Sequence, residues 1–160
     1  MAQGIEHGVN ACKLALSVVD GANALGRADV AEQALDTALK TDLTSYDCTM
    51  AMGDLYFAAG RNARAMLMFD KATELKPDSA YAYLKLGMAA DRNYDYFNAE
   101  KAFDRAESMA PGNREVAERV AGFKRKLADA AADQDRAKEM RIEIRTPDAQ
   151  PSAAADSKAP

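Results

Sequence analysis

The chain has 160 residues, 48% hydrophobic and 29% charged, enough for one folded domain with a real core. Its net charge of -4 and pI near 5.1 argue against a nucleic-acid partner, since neutralising phosphates requires clustered Lys and Arg. One histidine and two cysteines leave little material for imidazole catalysis, a zinc site or a disulfide framework.

At the N-terminus, Met1 to Val9 contains no basic stretch leading into an apolar run, and streaks such as Leu14-Ala15-Leu16 are too short for a membrane span. A cytoplasmic location with no membrane span is expected. His7 reads as a solvated end residue, and Cys12 and Cys48 as unpaired, buried, small apolar side chains. A helix is predicted over roughly Val9 to Asn23, then a turn at Gly26-Arg27, then a second helix carrying Ala31, Leu35-Asp36 and Ala38. These residues match Gly60-Arg61, Ala65, Phe69-Asp70 and Ala72, each 34 positions later, so residues 1–43 read as a degenerate helix pair.

Residues 44–111 carry the pattern twice. Gly53, Ala65, Phe69, Asp70, Ala72 and Pro77 recur as Gly87, Ala99, Phe103, Asp104, Ala106 and Pro111, again at a spacing of 34. Gly53 and Gly87 are expected to let helix backbones approach, with Ala65 and Ala99 as the small facing surface and Phe69 and Phe103 filling the gap between stacked pairs. Gly26 and Gly60 suit the left-handed residue that closes a first helix. The equivalent position is Tyr94, so the turn is expected to shift and place Asn93 there. Pro77 and Pro111 stop the second helices, and Thr44 or Ser45, Ser79 and Asn113 offer caps to the next.

Beyond Asn113 the pattern fades. Val116, Val120, Phe123 and Leu127 share one helical face, which predicts a capping helix within residues 112–145, ending near Glu139. Residues 114–145 hold nine Lys or Arg against seven Asp or Glu, a mildly basic helix on an acidic body. Residues 146–160 are Pro, Ala, Ser and Asp, a composition expected to be a disordered tail.

The run Gly53, Tyr56, Ala65-x-x-x-Phe69, Pro77 resembles the tetratricopeptide repeat. The resemblance implies an all-α solenoid of antiparallel helix pairs, with Val19 and Leu43 departing from the family's Gly and Pro in the first unit, where looser packing is expected. It also implies an inner, concave face, lined by the first helix of each pair, that holds another protein. On the helical projection Met50, Asp54, Phe57, Tyr81, Leu84, Lys85, Met88 and Asp91 face that groove, an apolar lining edged with Asp suited to a peptide or helix with apolar anchors and some basic residues. The family's chaperone-tail binders grip a terminal carboxylate with Lys, Asn and Arg at such positions; Met50 and Asp54 stand there instead, and Lys85 and Arg119 are too few for a clamp.

No phosphate-binding loop or dinucleotide fingerprint occurs, and no catalytic residue, metal ligand set or cofactor is expected. The leading reading is a non-catalytic interaction module or scaffold. The alternatives are a bacterial secretion-type chaperone holding an apolar client, and a self-assembling scaffold, a homo-oligomer docking through Met140 and Ile144. Arg141-Ile142-Glu143-Ile144-Arg145 also alternates like a strand that would add to a partner's sheet edge, but continuation or fraying of the helix is the favoured reading there.

Overall fold

Short polar side chains start four of the helices. In the computed structural model, which describes the backbone of residues 2–145 and the side chains of residues 11–138, Ser45 accepts from the Cys48 N–H, Ser79 from Ala82, Asp95 from Asn98 and Asn113 from Val116. Thr44 does not cap; its N–H and hydroxyl are held by Asp42 at 2.9 and 2.7 Å. Residues 146–160, the expected tail, lie outside the described residues, as do the side chains of His7, Met140 and Ile144.

The described residues form α1 (Ala2–Ala24), α2 (Ala28–Thr41), α3 (Tyr46–Ala58), α4 (Asn62–Leu75), α5 (Ala80–Arg92), α6 (Tyr96–Met109) and α7 (Arg114–Arg145), with no strand among them. Arg141 to Arg145 continue α7, in line with the favoured helix reading and not the strand alternative, and the helix passes the expected end near Glu139. Links of about three residues between contacting helices make α1/α2, α3/α4 and α5/α6 antiparallel pairs, and α3 and α5 each pack on the preceding pair. Among the described residues, those up to Phe123 form one compact unit and those from Lys124 a second. In the second, exposed pairs one turn apart, Asp133 with Arg136 and Asp135 with Lys138, line the helix.

Gly26 and Gly60 turn the chain with φ of 67° and 71°. At the third such turn Tyr94 takes the left-handed conformation, φ 61°, while Asn93 stays at φ -87°. The expected one-residue shift does not occur, because the register of the flanking helices fixes which residue must turn. The Tyr94 N–H donates to the Asp91 carbonyl and the Asp95 N–H to the Ala90 carbonyl, the same closing bonds made at Gly60 and Arg61.

The cores of the units differ from expectation in one respect. Gly53 admits the ring of Phe69, and Gly87 that of Phe103; the missing side chains make room for an aromatic ring and not for a second backbone. In the first unit Val19 and Leu35 stand at these two positions and both are buried in one core with Ala31 and Ala38, so that pair packs without the family's Gly and aromatic. At the other end of the unit, Val116, Val120 and Phe123 of α7 are buried, and Phe123 lies 5.0 Å from Phe103 ring to ring.

Cys12 and Cys48 form a disulfide, Cα to Cα 5.8 Å, joining α1 to α3 across 36 residues. This corrects the expectation of unpaired cysteines: two positions far apart in the chain lie on neighbouring first helices once the repeats stack. Further ties cross between units. Arg61 donates to both oxygens of Glu32 at 3.1 and 2.8 Å, the Tyr46 hydroxyl meets Ser79 Oγ at 2.8 Å, and Asn62 Nδ2 donates to the Arg92 carbonyl at 3.2 Å.

Candidate functional site

The first-helix face is partly closed by the chain itself. Met50 is 6% exposed within the α3/α4 core, and Leu84 is 1% exposed, so neither lines a groove as the helical projection expected. Both lie on the flank of their helix that the stack covers. The projection treats a helix as isolated, whereas here each first helix has neighbours on two sides.

Asp54 and Lys85 do share the face, and they take each other. Lys85 Nζ donates to Asp54 Oδ1 at 2.8 Å, with the ammonium 5.2 Å from the Tyr81 ring centroid. Burial alone would push the Lys85 ammonium down, but Asp54 and Tyr81 outweigh it and hold its pKa above the ordinary lysine value. A lysine so engaged makes a poor grip for a partner's carboxylate. Phe57 is half-buried, edge-on to Phe69 at 6.5 Å, with the Arg92 guanidinium 3.9 Å above its ring.

What stays open lies at the α7 end of this face. Phe57, Met88, Asp91, Arg92, Phe103, Glu118, Arg119, Gly122 and Phe123 enclose a hollow of about 260 Å3. Gly122 stands 34 positions after Met88, and a Cβ built on it meets nothing within 4 Å, so this wall is low. The floor is apolar, and the rim carries both signs, Asp91 and Glu118 with Arg92 and Arg119. The acidic edge expected from sequence is therefore balanced here. Of the predicted residues, Phe57, Met88 and Asp91 meet at this hollow, while Tyr81, exposed, stands beside the Asp54–Lys85 pair. Sequence reasoning missed Arg92, Phe103 and Phe123 as walls; the period pointed to them, since Phe103 and Met88 belong to one unit and α7 follows in register.

A larger hollow, about 410 Å3, lies on the opposite flank among α4, α5 and α6, against Met66, Leu67, Tyr83, Leu86, Lys101 and Arg105. It was not foreseen either. Its walls come mainly from second helices, which the projection onto first helices left out.

Residues 53–90 match the family described as TPR repeat. The chain carries a tetratricopeptide repeat at residues 53–90. Over 69 residues, 43% of this chain, it is 30% identical to anaphase-promoting complex subunit 3 of Schizosaccharomyces pombe, and the match spans 10% of that relative's length. The tetratricopeptide fold is shared with the Sgt2 TPR domain from Aspergillus fumigatus, at TM-score 0.69 and 19% identity, covering 93% of this chain and 92% of that one. It is shared as well with the first TPR of Spaghetti (RPAP3), solved bound to the HSP90 peptide SRMEEVD, at TM-score 0.65 and 20% identity, covering 73% and 95%. No helix among the described residues is long and apolar enough to cross a membrane.

Proposed function

We propose that the chain is a non-catalytic interaction module that holds a peptide or helix of another protein against its first-helix face, with an apolar anchor seated in the hollow between α3, α5 and α7. The observation that carries this reading is that hollow, where apolar Phe57, Met88, Phe103 and Phe123 line the same space as side chains of both signs. That a domain of the same fold was solved with a peptide bound adds support. The two domains differ in grip. A terminal carboxylate needs free cations, and Asp54 occupies Lys85, so the partner favoured here carries a Leu, Met or Phe flanked by residues of both signs, and not an acidic tail.

The test is a peptide-array screen followed by fluorescence polarisation. Met88→Glu should weaken binding at least about tenfold, the order expected when a charge is buried without a partner. Leu67→Glu, in the opposite hollow, should leave binding unchanged. The reverse pattern would move the site to the second-helix flank and sink this reading.

The compartment is read from the Cys12–Cys48 disulfide. Such bridges persist where thiols oxidise and are kept reduced in most cytosols, so the bridge favours an oxidising setting over the cytoplasm expected from sequence. Alkylation of free thiols at lysis of the source cells, followed by mass spectrometry, distinguishes the two.

A further inference from the structure

The end of the stack formed by α1 and α2 presents a stacking surface that no other described residue covers. The 34-residue register identifies it. Cys48, Met52 and Met68 pack on the α1/α2 core, and one unit later Ala82 and Leu86 pack on the core of α3 and α4. The same register positions in the first pair are Leu14, Val18 and Ala34. Leu14 is 68% exposed, where Cys48 and Ala82 are each 0%. A hollow of about 360 Å3 opens there, its nine lining residues including Leu14, Val18, Val30, Ala34 and Thr37 and none that is charged.

A solenoid end that faces water needs a more polar surface than the interior units. At two positions of this edge the change runs the other way. Where later units carry Arg64 and Asn98, the first has Val30, and where they carry Lys71 and Arg105, it has Thr37. Uncharged side chains thus stand at these two positions in the first described pair.

The opposite end says what the neighbour is. Val116, Val120 and Phe123 of α7 already lie buried there, so head-to-tail stacking of copies finds no free acceptor. Among the described residues, a second copy offers the same edge in return. Two like edges meeting about a twofold axis bring like side chains near one another, which a charged edge resists and an uncharged one does not.

We infer that a second copy of this chain covers the α1/α2 edge in solution, forming a closed dimer on a face separate from the proposed partner site. Because Cys12 and Cys48 are joined within one chain, the dimer is non-covalent.

The experiment is light scattering on the full chain over a wide concentration range, where the expected mass is twice 17.2 kDa. Leu14→Glu, and separately Val30→Arg with Thr37→Lys, which installs residues found 34 positions later, should weaken self-association by about a hundredfold, the order of a buried unpaired charge. Circular dichroism should report native helix content in both. A wild-type chain that stays monomeric, with or without another protein bound at this edge, overturns the inference, and so does a dimer that survives both substitutions. Hydrogen exchange on the wild-type chain needs no variant: protection should rise with concentration in α1 and α2 and stay level in α5 and α6, and the opposite pattern overturns it equally.

Discussion

Gly53 and Phe69 occupy one another's space: a Cβ on residue 53 would sit 2.5 Å from the edge of the Phe69 ring, which is itself fully buried. Gly87 and Phe103 repeat the relation at 2.8 Å. Val19 and Leu35 at the same positions solve the problem differently, with a branched side chain where the glycines leave room and a smaller partner where the rings stand.

Gly53→Ala should therefore cost about 1–3 kcal/mol, because the ring has nowhere to retreat. Gly53→Val combined with Phe69→Leu imitates the first unit. The double variant should unfold at higher urea than the sum of the two single losses predicts, and strict additivity would show that the positions do not share space.

Tyr94→Gly should stabilise the chain. A bulky residue in the left-handed region costs about 1–2 kcal/mol, while glycine's extra freedom in the unfolded chain returns about 0.5–1 kcal/mol of that gain. Tyr94 is 78% exposed, so its edge contact with Tyr96 offsets little of the remainder. A net rise in thermal midpoint is expected.

Opening the disulfide should lower stability by up to about 4 kcal/mol, the chain-entropy value for a loop of this length. Cys12→Ala tests it better than a change at Cys48, whose site is fully buried and would strand a serine hydroxyl. Reductant should lower the wild-type denaturation midpoint and leave that of Cys12→Ala unmoved.

Stability should fall with acid in a defined window. Arg61, donating to both its oxygens, holds the Glu32 carboxyl below the usual range, and Arg27 holds Asp29 down to about 2. Groups depressed in the folded state contribute fully above their unfolded pKa, near 4, and lose that contribution as pH falls through the folded value. Glu32→Gln should thus lower the thermal midpoint at pH 7 and make progressively less difference as pH falls below about 4. A constant difference across that range would exclude the Glu32–Arg61 pair as the cause.

The helix pairs, their caps at Ser45, Ser79 and Asn113, the glycine turns and the capping face of α7 were legible in the residues, because each is decided within a turn or two of its own chain. Met50 and Leu84 were misplaced for the complementary reason. A helical wheel ranks faces by one helix, and the face these residues occupy became interior only when a neighbouring pair was laid against it. Arg92 over Phe57 and Asp54 with Lys85 close much of the expected groove, by side chains from different units whose meeting no local pattern announces.

The 34-residue period by itself determined the class of fold and the order of its parts, since it repeats the local preferences for helix, turn and stop at a length that forces pairs to stack. Which residues that stacking buried, which cysteines it joined, and which hollow and which edge it left open were decided only in three dimensions. Those outcomes depend on distances between units far apart in sequence, and such distances are fixed by packing volume and not by propensity.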